Sequence, residues 1–308
     1  MNGTKVMVNG GRTSKIKKIV ILGSNGQLGN VLSLELASSN YIVTALSKDS
    51  LNITDSEAVY LEMSRIKPYL VVNCAAWTDV NLAEKFPTKA NLVNAESLRG
   101  ITRACLELGI KLIHISTDHV FSGMQVMPYA VSAKRFPVNQ YGESKLGGEI
   151  VIESSMTENF WILRTSWLYG NSDKDFISKI LKKYRANNDL IPVVFDQIGH
   201  PTFVNDLAKK IMEVIDIQPK FGIYHASNLG TTSWFNFAQQ SIRLLGLDAD
   251  RIVPVKYSDL KSTVKRPSNV ELDFSEWGNV GLNPLRKWDL ALSECIDRGG
   301  FNYKYQTT

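Results

Sequence analysis

A tyrosine and a lysine four residues apart are the side chains whose spacing most directly predicts chemistry in this chain. Tyr141 and Lys145 stand in the segment Tyr-Gly-Glu-Ser-Lys. In a helix both side chains lie on the same face, where the ammonium can lower the pKa of the phenol. Such a phenol can pass a proton to a carbonyl oxygen. A hydroxyl from Ser116 or Thr117 could hydrogen-bond to the same oxygen as it gains charge.

The same spacing occurs a second time, at Tyr257 and Lys261. Spacing alone therefore identifies neither pair. The first pair follows a predicted strand over 111–116, whose carboxyl end would face the ligand crevice of a parallel sheet. The second pair lies in a region with shorter, looser elements, so we expect Tyr257 to be a packed tyrosine and Lys261 a surface lysine.

A glycine loop, Gly-Ser-Asn-Gly-Gln-Leu-Gly, follows the apolar segment 18–23 and precedes a helical pattern over 28–37. A pyrophosphate must approach unpaired backbone N–H groups at a helix N-terminus, and side chains on the turn would block it. Gly23 then allows the tight turn, Gly26 the contact with phosphate, and Gly29 the packing of the helix on the strand. The predicted cofactor contacts in this loop are Gly23, Asn25, Gly26, Gln27, Leu28 and Gly29.

The end of the second predicted strand, over 41–46, bears on the type of dinucleotide. An acidic residue there would hold the ribose 2′-hydroxyl of NAD. The chain instead has Ser47 and Lys48. A hydroxyl and an ammonium suit a 2′-phosphate, so we predict NADPH as the cofactor, with NADH possible.

Strand and helix patterns alternate through the first half of the chain. Helices are predicted over 55–66 and 87–108, and strands over 69–74 and 111–116. This order predicts an α/β fold with a Rossmann-type, doubly wound parallel sheet and a smaller C-terminal substrate-binding part. We expect a basic tail over 1–16, a dinucleotide-binding part over 17–168 that is rejoined by about 190–228, and a sugar-nucleotide-binding part over 169–189 and 229–302.

The charge of the 308-residue chain is concentrated at its beginning. The net charge is +5, from 35 basic and 30 acidic residues. Five of the basic residues lie in the first 18 positions, which contain no acidic residue. The other 30 basic residues are balanced by the 30 acidic residues. This distribution predicts no nucleic-acid partner. No apolar run is long enough to span a bilayer and no secretory signal precedes the fold, so we expect a cytoplasmic protein without a membrane partner.

Several further motifs resemble those of the dTDP-4-dehydrorhamnose reductases, which are extended short-chain dehydrogenase/reductases. The resemblance runs from about Lys17 to Leu292. It rests on G-S-N-G-Q-L-G (23–29), N-I-T-D (52–55), N-C-A-A-W-T-D-V (73–80), S-T-D-H-V-F-S-G (116–123), Y-G-E-S-K-L-G-G-E (141–149), R-T-S-W-L-Y-G (164–170), D-Q-I-G-H-P-T (196–202) and K-R-P-S-N-V-E-L (265–272).

The resemblance implies NADPH-dependent reduction of the C4 keto group of dTDP-4-dehydro-L-rhamnose to dTDP-L-rhamnose, in nucleotide-sugar synthesis for cell-envelope polysaccharide. It implies Tyr141 as proton donor, Lys145 as its partner and Thr117 as the hydroxyl that polarises the carbonyl. Further cofactor contacts would be Asn52, Ile53, Ala75, Ala76 and Thr78. Tyr141 and Lys145 are predicted to contact the cofactor as well, since the ammonium can hydrogen-bond the cofactor ribose. Substrate contacts would be Val80, Asp118, His119, Trp167 and Arg266.

The chain departs from the family pattern at two informative positions. His119 stands where the family usually has tyrosine, and we expect its imidazole to titrate near neutrality. Val31 stands where some members carry a glutamate that helps hold Mg²⁺ at a dimer interface. We therefore predict no metal, and a monomer or weak homodimer.

Other functions remain open on the sequence. The substrate could be another dTDP- or UDP-linked 4-keto-6-deoxy sugar. A non-catalytic NADP-binding subunit, resembling the regulatory subunit of methionine adenosyltransferase, is a further alternative. A 4,6-dehydratase would carry Asp-Glu after the threonine, and Asp118-His119 argues against that reaction.

Overall fold

The computed structural model describes residues 17–260, 262–299 and 301, and the predicted tail over 1–16 lies outside them. The strands are β1 (Lys18–Leu22), β2 (Ile42–Leu46), β3 (Leu70–Asn73), β4 (Lys111–Thr117), β5 (Phe160–Thr165), β6 (Leu168–Tyr169), β7 (Ile191–Val194), β8 (Ile198–Gly199), β9 (Thr202–Phe203), β10 (Gly222–His225), β11 (Asn228–Leu229), β12 (Thr232–Ser233), β13 (Ile252–Val255) and β14 (Leu285–Lys287). The helices are α1 (Gln27–Ala37), α2 (Ser56–Ile66), α3 (Val80–Lys85), α4 (Pro87–Asn91), α5 (Ser97–Leu108), α6 (Gln140–Ser155), α7 (Phe176–Ala186), α8 (Val204–Ile217), α9 (Trp234–Leu244), α10 (Ser275–Asn279) and α11 (Trp288–Asp297).

Six strands form one sheet in the order β2-β1-β3-β4-β5-β10, and every pair in it is parallel. The order of the strands reverses between β1 and β3. A crevice opens at such a switch point, beyond the carboxyl ends of the strands. The predicted Rossmann-type, doubly wound α/β fold is confirmed.

Helices cover both faces of this sheet, as the apolar strands require. All residues of β3 and β5 are buried, which is typical of parallel strands with helices on each side. One core lies under α2, α5 and α6. The other lies under α1 and α8 and continues into the C-terminal region through α9 and α11. The cofactor-loop helix α1 is thus fixed between the sheet and α8.

The helix predicted over 87–108 is present but irregular. It consists of α4, a π-helical turn over Leu92–Glu96, and α5, which ends at Gly109 in the left-handed conformation with φ 66°. The π turn carries the buried Asn94, whose side chain bonds to the backbone of Trp77 and to Ser144 Oγ. Turns of this kind often occur at functional sites.

The range 190–228, predicted to rejoin the dinucleotide-binding part, contains strands of more than one sheet. Strand β10 completes the main sheet and α8 packs on α1. Strand β7, at the start of the predicted range, instead pairs in parallel with β13. A continuous apolar strand fits either sheet, so the sequence pattern could not choose its partner. The remaining part boundaries stay a prediction.

Among the described residues, none of the helices is long and apolar enough to cross a membrane. In the same part of the chain, no cluster of three or more His, Cys, Asp or Glu side chains could hold a metal ion. Cys74, Cys105 and Cys295 are free thiols, and burial raises the pKa of Cys74 and Cys105 to about 12. These cysteines are therefore protonated at neutral pH.

Candidate active site

A cavity of about 570 Å³ opens at the carboxyl edge of the main sheet. Its walls come from the segments that follow β1, β2, β3, β4 and β5. The predicted residues in the lining are Gly23, Asn25, Gly26, Gln27, Leu28, Lys48, Asn52, Ile53, Ala75, Ala76, Thr78, Thr117, Tyr141, Lys145 and Trp167. The structure thus brings together residues that lie far apart in the sequence.

The glycine loop has the close contacts that its glycines predict. Gly23 has φ 77°, and a Cβ there would lie 2.6 Å from the Ala75 nitrogen. Gly26 is the N-cap of α1 and lines the cavity, so the positive end of the helix faces it. Gly29 does not line the cavity; a Cβ there would lie 2.3 Å from the Gly23 oxygen. Gly29 thus lets α1 pack closely on the loop, and its predicted contact with the cofactor stays a prediction.

The two residues predicted to select the cofactor are placed differently. Lys48 lines the cavity. Ser47 does not belong to the lining; its hydroxyl accepts from the backbone N–H of Asp49, and its own N–H donates to Ser50 Oγ. Ser47 therefore stabilises the turn that presents Lys48. Contact of either residue with a cofactor stays a prediction.

Tyr141 and Lys145 lie on α6, which begins after Asn139. The Asn139 side chain caps the helix by accepting from Gly142 N at 2.8 Å. Lys145 is only 2% exposed, and its Nζ donates to the Ile115 carbonyl at 2.6 Å. Burial lowers the pKa of Lys145 to about 8, an effect that the Glu149 carboxylate counteracts in part.

The expectation that Lys145 lowers the pKa of Tyr141 is wrong for this structure. Burial raises the pKa of Tyr141 to about 12, and only a hydrogen bond from the Thr117 hydroxyl acts against that increase. The reason is geometric, because the Lys145 ammonium is directed to the Ile115 carbonyl. A phenol that stays protonated at neutral pH remains suited to donate a proton.

Thr117 ends β4 and is followed by a short 3₁₀ turn over Asp118–Val120. Its hydroxyl donates to Asp118 Oδ1 at 3.0 Å and lies close enough to Tyr141 to lower the phenol pKa. Asp118 is 3% exposed. Burial raises the pKa of its carboxyl to about 7, although Thr117 and nearby backbone N–H groups stabilise the ionised form.

The expectation that His119 titrates near neutrality is also wrong. Burial, together with the nearby Arg266 guanidinium, lowers the pKa of His119 to about 4. The Asn139 side-chain oxygen accepts from the helix backbone, which fixes the orientation of the amide. The Asn139 amide nitrogen therefore faces His119 Nδ1, at 3.0 Å. His119 is thus a neutral imidazole that accepts at Nδ1, with its ring centroid 5.3 Å from that of Tyr141.

A smaller cavity adjoins the first through Trp167. It is lined by Asp118, His119, Trp167, Gln197, Ile198, Trp234, Arg266, Pro267 and Val270. Trp167 has φ 42° and stacks on Trp234 with ring centroids 3.6 Å apart. A Cβ at Gly199 would lie 2.7 Å from the Trp167 ring, so the neighbouring strand leaves room for the indole. Four of the five predicted substrate residues therefore lie together.

Five residues that line the smaller cavity were not predicted as site residues, and Trp234 and Gln197 are the most informative of them. Trp234 begins α9, and no sequence pattern relates it to Trp167. Gln197 stands in the 196–202 motif, but nothing there assigns its side chain a role. It is 5% exposed, and its amide nitrogen is buried without a hydrogen-bond partner among the described residues. A buried amide of this kind is costly unless a ligand satisfies it.

Val80 and Ser116 do not have the placements expected of them. Val80 begins α3, is half-buried and lines neither cavity. Ser116 lines the main cavity, but its hydroxyl donates to Glu149 Oε1 at 2.6 Å. Its proton is therefore directed away from a substrate carbonyl, and Thr117 is the hydroxyl beside the phenol.

Tyr257 lies outside both cavities, as expected of the second tyrosine. It begins a 3₁₀ turn, is half-buried, and its phenol bonds to Ser262 Oγ at 2.8 Å and to the Val264 carbonyl. Lys261 lies outside the described residues.

Comparison with known proteins identifies the family. The family model described as RmlD substrate binding domain matches residues 17–300. The chain belongs to this family. The reductase of Streptomyces griseus named dTDP-4-dehydrorhamnose reductase is 38% identical over 281 residues, which cover 90% of this chain and 92% of that protein. The dTDP-4-keto-6-deoxy-D-glucose reductase of Streptomyces niveus is 35% identical over 277 residues, covering 90% and 96%.

A solved structure of another RmlD-type protein supports the same assignment. The dTDP-4-dehydrorhamnose reductase of Bacillus anthracis, in complex with NADP, superposes with a TM-score of 0.86 at 32% identity. The match covers 93% of this chain and 99% of that one. The family resemblance read from the motifs is thereby confirmed over nearly the whole chain.

Proposed function

We propose that this RmlD-family protein is an oxidoreductase that uses NADPH to reduce the C4 keto group of dTDP-4-dehydro-L-rhamnose, giving dTDP-L-rhamnose. The observation that carries the proposal is a single cavity that contains both the glycine loop and the Thr117, Tyr141 and Lys145 side chains. A hydride donor and a proton donor must meet at one carbonyl, and this cavity supplies a place for both.

The chain's own residues supply the proton and the charge stabilisation. NADPH, when bound, supplies the hydride. Tyr141 donates its phenolic proton to the C4 oxygen, and its pKa of about 12 keeps that proton in place until an alkoxide forms. The Thr117 hydroxyl, which donates to Asp118 Oδ1 when no substrate is bound, turns to donate to the same oxygen. Lys145, held at the Ile115 carbonyl, lines the same cavity, where its ammonium donates to the cofactor ribose.

The glycine loop and the turn after β2 hold the cofactor. The pyrophosphate binds at the N-terminus of α1, where Gly26 lets the backbone N–H groups approach it. Lys48 binds the 2′-phosphate and favours NADPH over NADH. Lys48→Glu should weaken NADPH binding by at least about tenfold and change NADH binding little, since it replaces an attraction to a 2′-phosphate by repulsion. Equal effects on both dinucleotides would contradict this assignment.

The sugar ring lies in the main cavity beside Tyr141 and Thr117, where that cavity adjoins the smaller one at Trp167. The smaller cavity, of about 20 Å³, cannot enclose the ring, but it places Asp118 and His119 next to it. Arg266 binds the nucleotide phosphates. It donates to Asn81 Oδ1 at 3.2 Å on the protein surface and is therefore available at the cavity entrance. Gln197, with its unpaired amide, donates to a sugar hydroxyl.

The protein acts as a monomer or weak homodimer without a bridging metal. Val31, which occupies the position of the metal-binding glutamate of some members, is 3% exposed and packs in the core under α1. A glutamate that held Mg²⁺ between two subunits would have to lie exposed on the surface. Light scattering with and without Mg²⁺ tests this, and a dimer that forms only with Mg²⁺ would overturn it.

A substrate panel tests the proposed reaction. dTDP- and UDP-linked 4-keto-6-deoxy sugars are supplied with and without a 3,5-epimerase, and NADPH consumption is followed by absorbance. We expect turnover with dTDP-4-keto-6-deoxyglucose only when the epimerase is present. Turnover without it would favour a D-sugar reductase, as the Streptomyces niveus relative is named. Binding of NADPH without turnover of any sugar would favour a non-catalytic subunit.

A further inference from the structure

Glu149 is the most enclosed charged group beside the candidate active site. It lies on α6 and is 0% exposed. Its two oxygens accept from Arg164 Nε at 2.9 Å and Nη2 at 2.8 Å, which makes a bidentate ion pair. Ser116 Oγ donates to the same carboxylate at 2.6 Å, and Arg135 Nη1 does so at 3.1 Å. Four donors thus saturate this carboxylate.

Arg164 is equally enclosed and lies on β5. It is 0% exposed, and its Nη1 donates to the Val131 carbonyl at 2.8 Å. Its guanidinium also lies over the Phe121 ring, 5.1 Å from the centroid. The planar guanidinium therefore has a fixed orientation, and only a carboxylate at one position can accept both of its parallel N–H groups.

The position of Glu149 on α6 relates it to the proposed proton donor. Tyr141, Lys145 and Glu149 follow each other at intervals of four residues, so they form one row along the helix. Lys145 attaches this row to the Ile115 carbonyl of β4. Glu149 attaches it to Ser116 of β4 and to Arg164 of β5. Lys145 and Glu149 are therefore hydrogen-bonded to Ile115 and Ser116, the two strand residues that directly precede Thr117.

Stability alone is a poor reason for this arrangement. A buried ion pair is often no more stabilising than apolar residues of similar volume, because both charges lose their hydration. The ion pair of Arg103 with Glu107 on α5, by contrast, is exposed. What a bidentate buried pair adds is a fixed geometry between two elements. The elements that it joins here carry the phenol and the neighbouring hydroxyl.

We propose that Glu149 and Arg164 are positioning residues, which fix the rotation and height of α6 on β4 and β5 so that Tyr141 meets Thr117 at the substrate carbonyl. This inference rests on the proposed function. It adds two residues that touch no substrate and act through Ser116 and the helix. A displacement of about 1 Å between a catalytic group and its substrate can cost about 10²-fold in rate.

Three variants test the proposal. Glu149→Gln keeps the shape and removes the charge, Ser116→Ala removes the link to β4, and the double variant Glu149→Met with Arg164→Met replaces the pair by apolar side chains. We expect kcat to fall by about 10- to 10²-fold in each, with KM for the sugar and Kd for NADPH within about threefold of the wild type. The exposed pair serves as control, and Arg103→Met with Glu107→Met should leave kcat unchanged.

The double variant separates positioning from folding, because it leaves no unpaired buried charge. We expect it to keep the melting temperature of the wild type within a few degrees while kcat stays low. If the double variant had both the melting temperature and the kcat of the wild type, the proposal would be overturned, because any well-packed pair of side chains would then position α6 equally well.

The pH dependence of kcat gives a second test, because loss of packing alone would not shift it. The charged and titratable groups facing Lys145 are Cys74 after β3, His114 on β4 and Glu149 on α6. Of these, Glu149 raises the pKa of Lys145 most. In Glu149→Gln the loss of kcat that accompanies deprotonation of Lys145, which lies above the midpoint near pH 7 expected for Asp118, should therefore move to lower pH. An unmoved loss, with kcat lowered equally at every pH, would contradict the proposed coupling.

A wild type that turns over no sugar would refute the proposed function without deciding this inference. The ¹³C resonance of the Tyr141 Cζ, identified by its loss in Tyr141→Phe, then reports the surroundings of the phenol directly. We expect its shift and its titration to change in Glu149→Gln and in Ser116→Ala, and to stay unchanged in the Arg103 and Glu107 control. No change in the first two variants would overturn the positioning role.

Discussion

Tyr141 and Tyr257 each stand four residues before a lysine, yet the two phenols have very different surroundings. Tyr141 lies at the carboxyl edge of the main sheet, where burial raises its pKa to about 12 and the Thr117 hydroxyl is beside it. Tyr257 lies in a surface turn and bonds to Ser262 and to the Val264 carbonyl. Its proton is already engaged within its own loop.

The difference shows that position in the sheet, and not spacing, decides which tyrosine can act on a substrate. Parallel strands converge at one edge, so the ends of β1, β3 and β4 bring the glycine loop, Ala75 and Thr117 to one cavity. Tyr257 follows β13, which pairs with β7 outside that sheet. Its backbone N–H donates to Asp196 just after β7, so it stands at the end of this separate pair of strands and outside the cavity that holds the glycine loop and Thr117.

Loss of the Tyr141 hydroxyl should have the largest effect. Tyr141→Phe removes the proton donor and keeps the ring, so turnover should fall by about 10² to 10⁴, the usual contribution of general acid catalysis. Steady-state kinetics with NADPH measures this. Cofactor affinity, measured by fluorescence titration, should stay within about twofold. A parallel loss of NADPH affinity would mean that the phenol binds the cofactor and is not the acid.

Removal of the Thr117 hydroxyl should have a smaller effect. Thr117→Val keeps the shape of the side chain and deletes one donor to the developing alkoxide, a change that costs about 10²-fold in comparable sites. Single-turnover rates at saturating NADPH give the comparison. Ser116→Ala is not an equivalent control, because that hydroxyl bonds to Glu149. If Thr117→Val retained full turnover, the phenol would act without this partner.

Asp118 should make kcat depend on pH near neutrality. Burial raises the pKa of Asp118 to about 7, and its ionised form raises the pKa of Tyr141. As pH rises through about 7, the new charge opposes formation of the tyrosinate, so kcat should fall. Asp118→Asn should remove this fall. His119, with a pKa of about 4, should contribute none of it.

The histidine variant is the matched control for that prediction. His119→Tyr should leave the midpoint near pH 7 unchanged, because the imidazole is neutral throughout this range. A midpoint that disappears with His119→Tyr and persists in Asp118→Asn would reverse the assignment.

Loss of the Tyr257 hydroxyl should have the smallest effect. Tyr257→Phe deletes bonds within a half-buried surface turn, so turnover should remain within about twofold and the melting temperature should fall by only a few degrees. The same assay as for Tyr141→Phe measures both. A loss of turnover comparable to that variant would remove the distinction between the two tyrosines.

Much of the fold was predictable from local patterns. The glycine loop after an apolar strand, the left-handed Gly109 after a helix, and alternating strands and helices each depend on nearby residues alone. The placement of Tyr141 and Thr117 in one cavity was predictable for the same reason, since both residues flank recognisable elements.

What escaped prediction depends on contacts between distant segments. The pairing of β7 with β13, the stack of Trp167 on Trp234 and the buried Gln197 amide have no local signal. The pKa values of His119 and Tyr141 depend on burial, which spacing does not show. The direction of the Lys145 side chain likewise follows from the Ile115 carbonyl on another element.

The most direct measurement is the turnover of Tyr141→Phe and Tyr257→Phe in one assay, with dTDP-4-dehydro-L-rhamnose and NADPH at saturating concentrations. The two changes are chemically identical, so only the position of the phenol differs. We expect a loss of at least about 10²-fold for Tyr141→Phe and of less than about twofold for Tyr257→Phe. Equal losses in the two variants, or full activity in Tyr141→Phe, would contradict it.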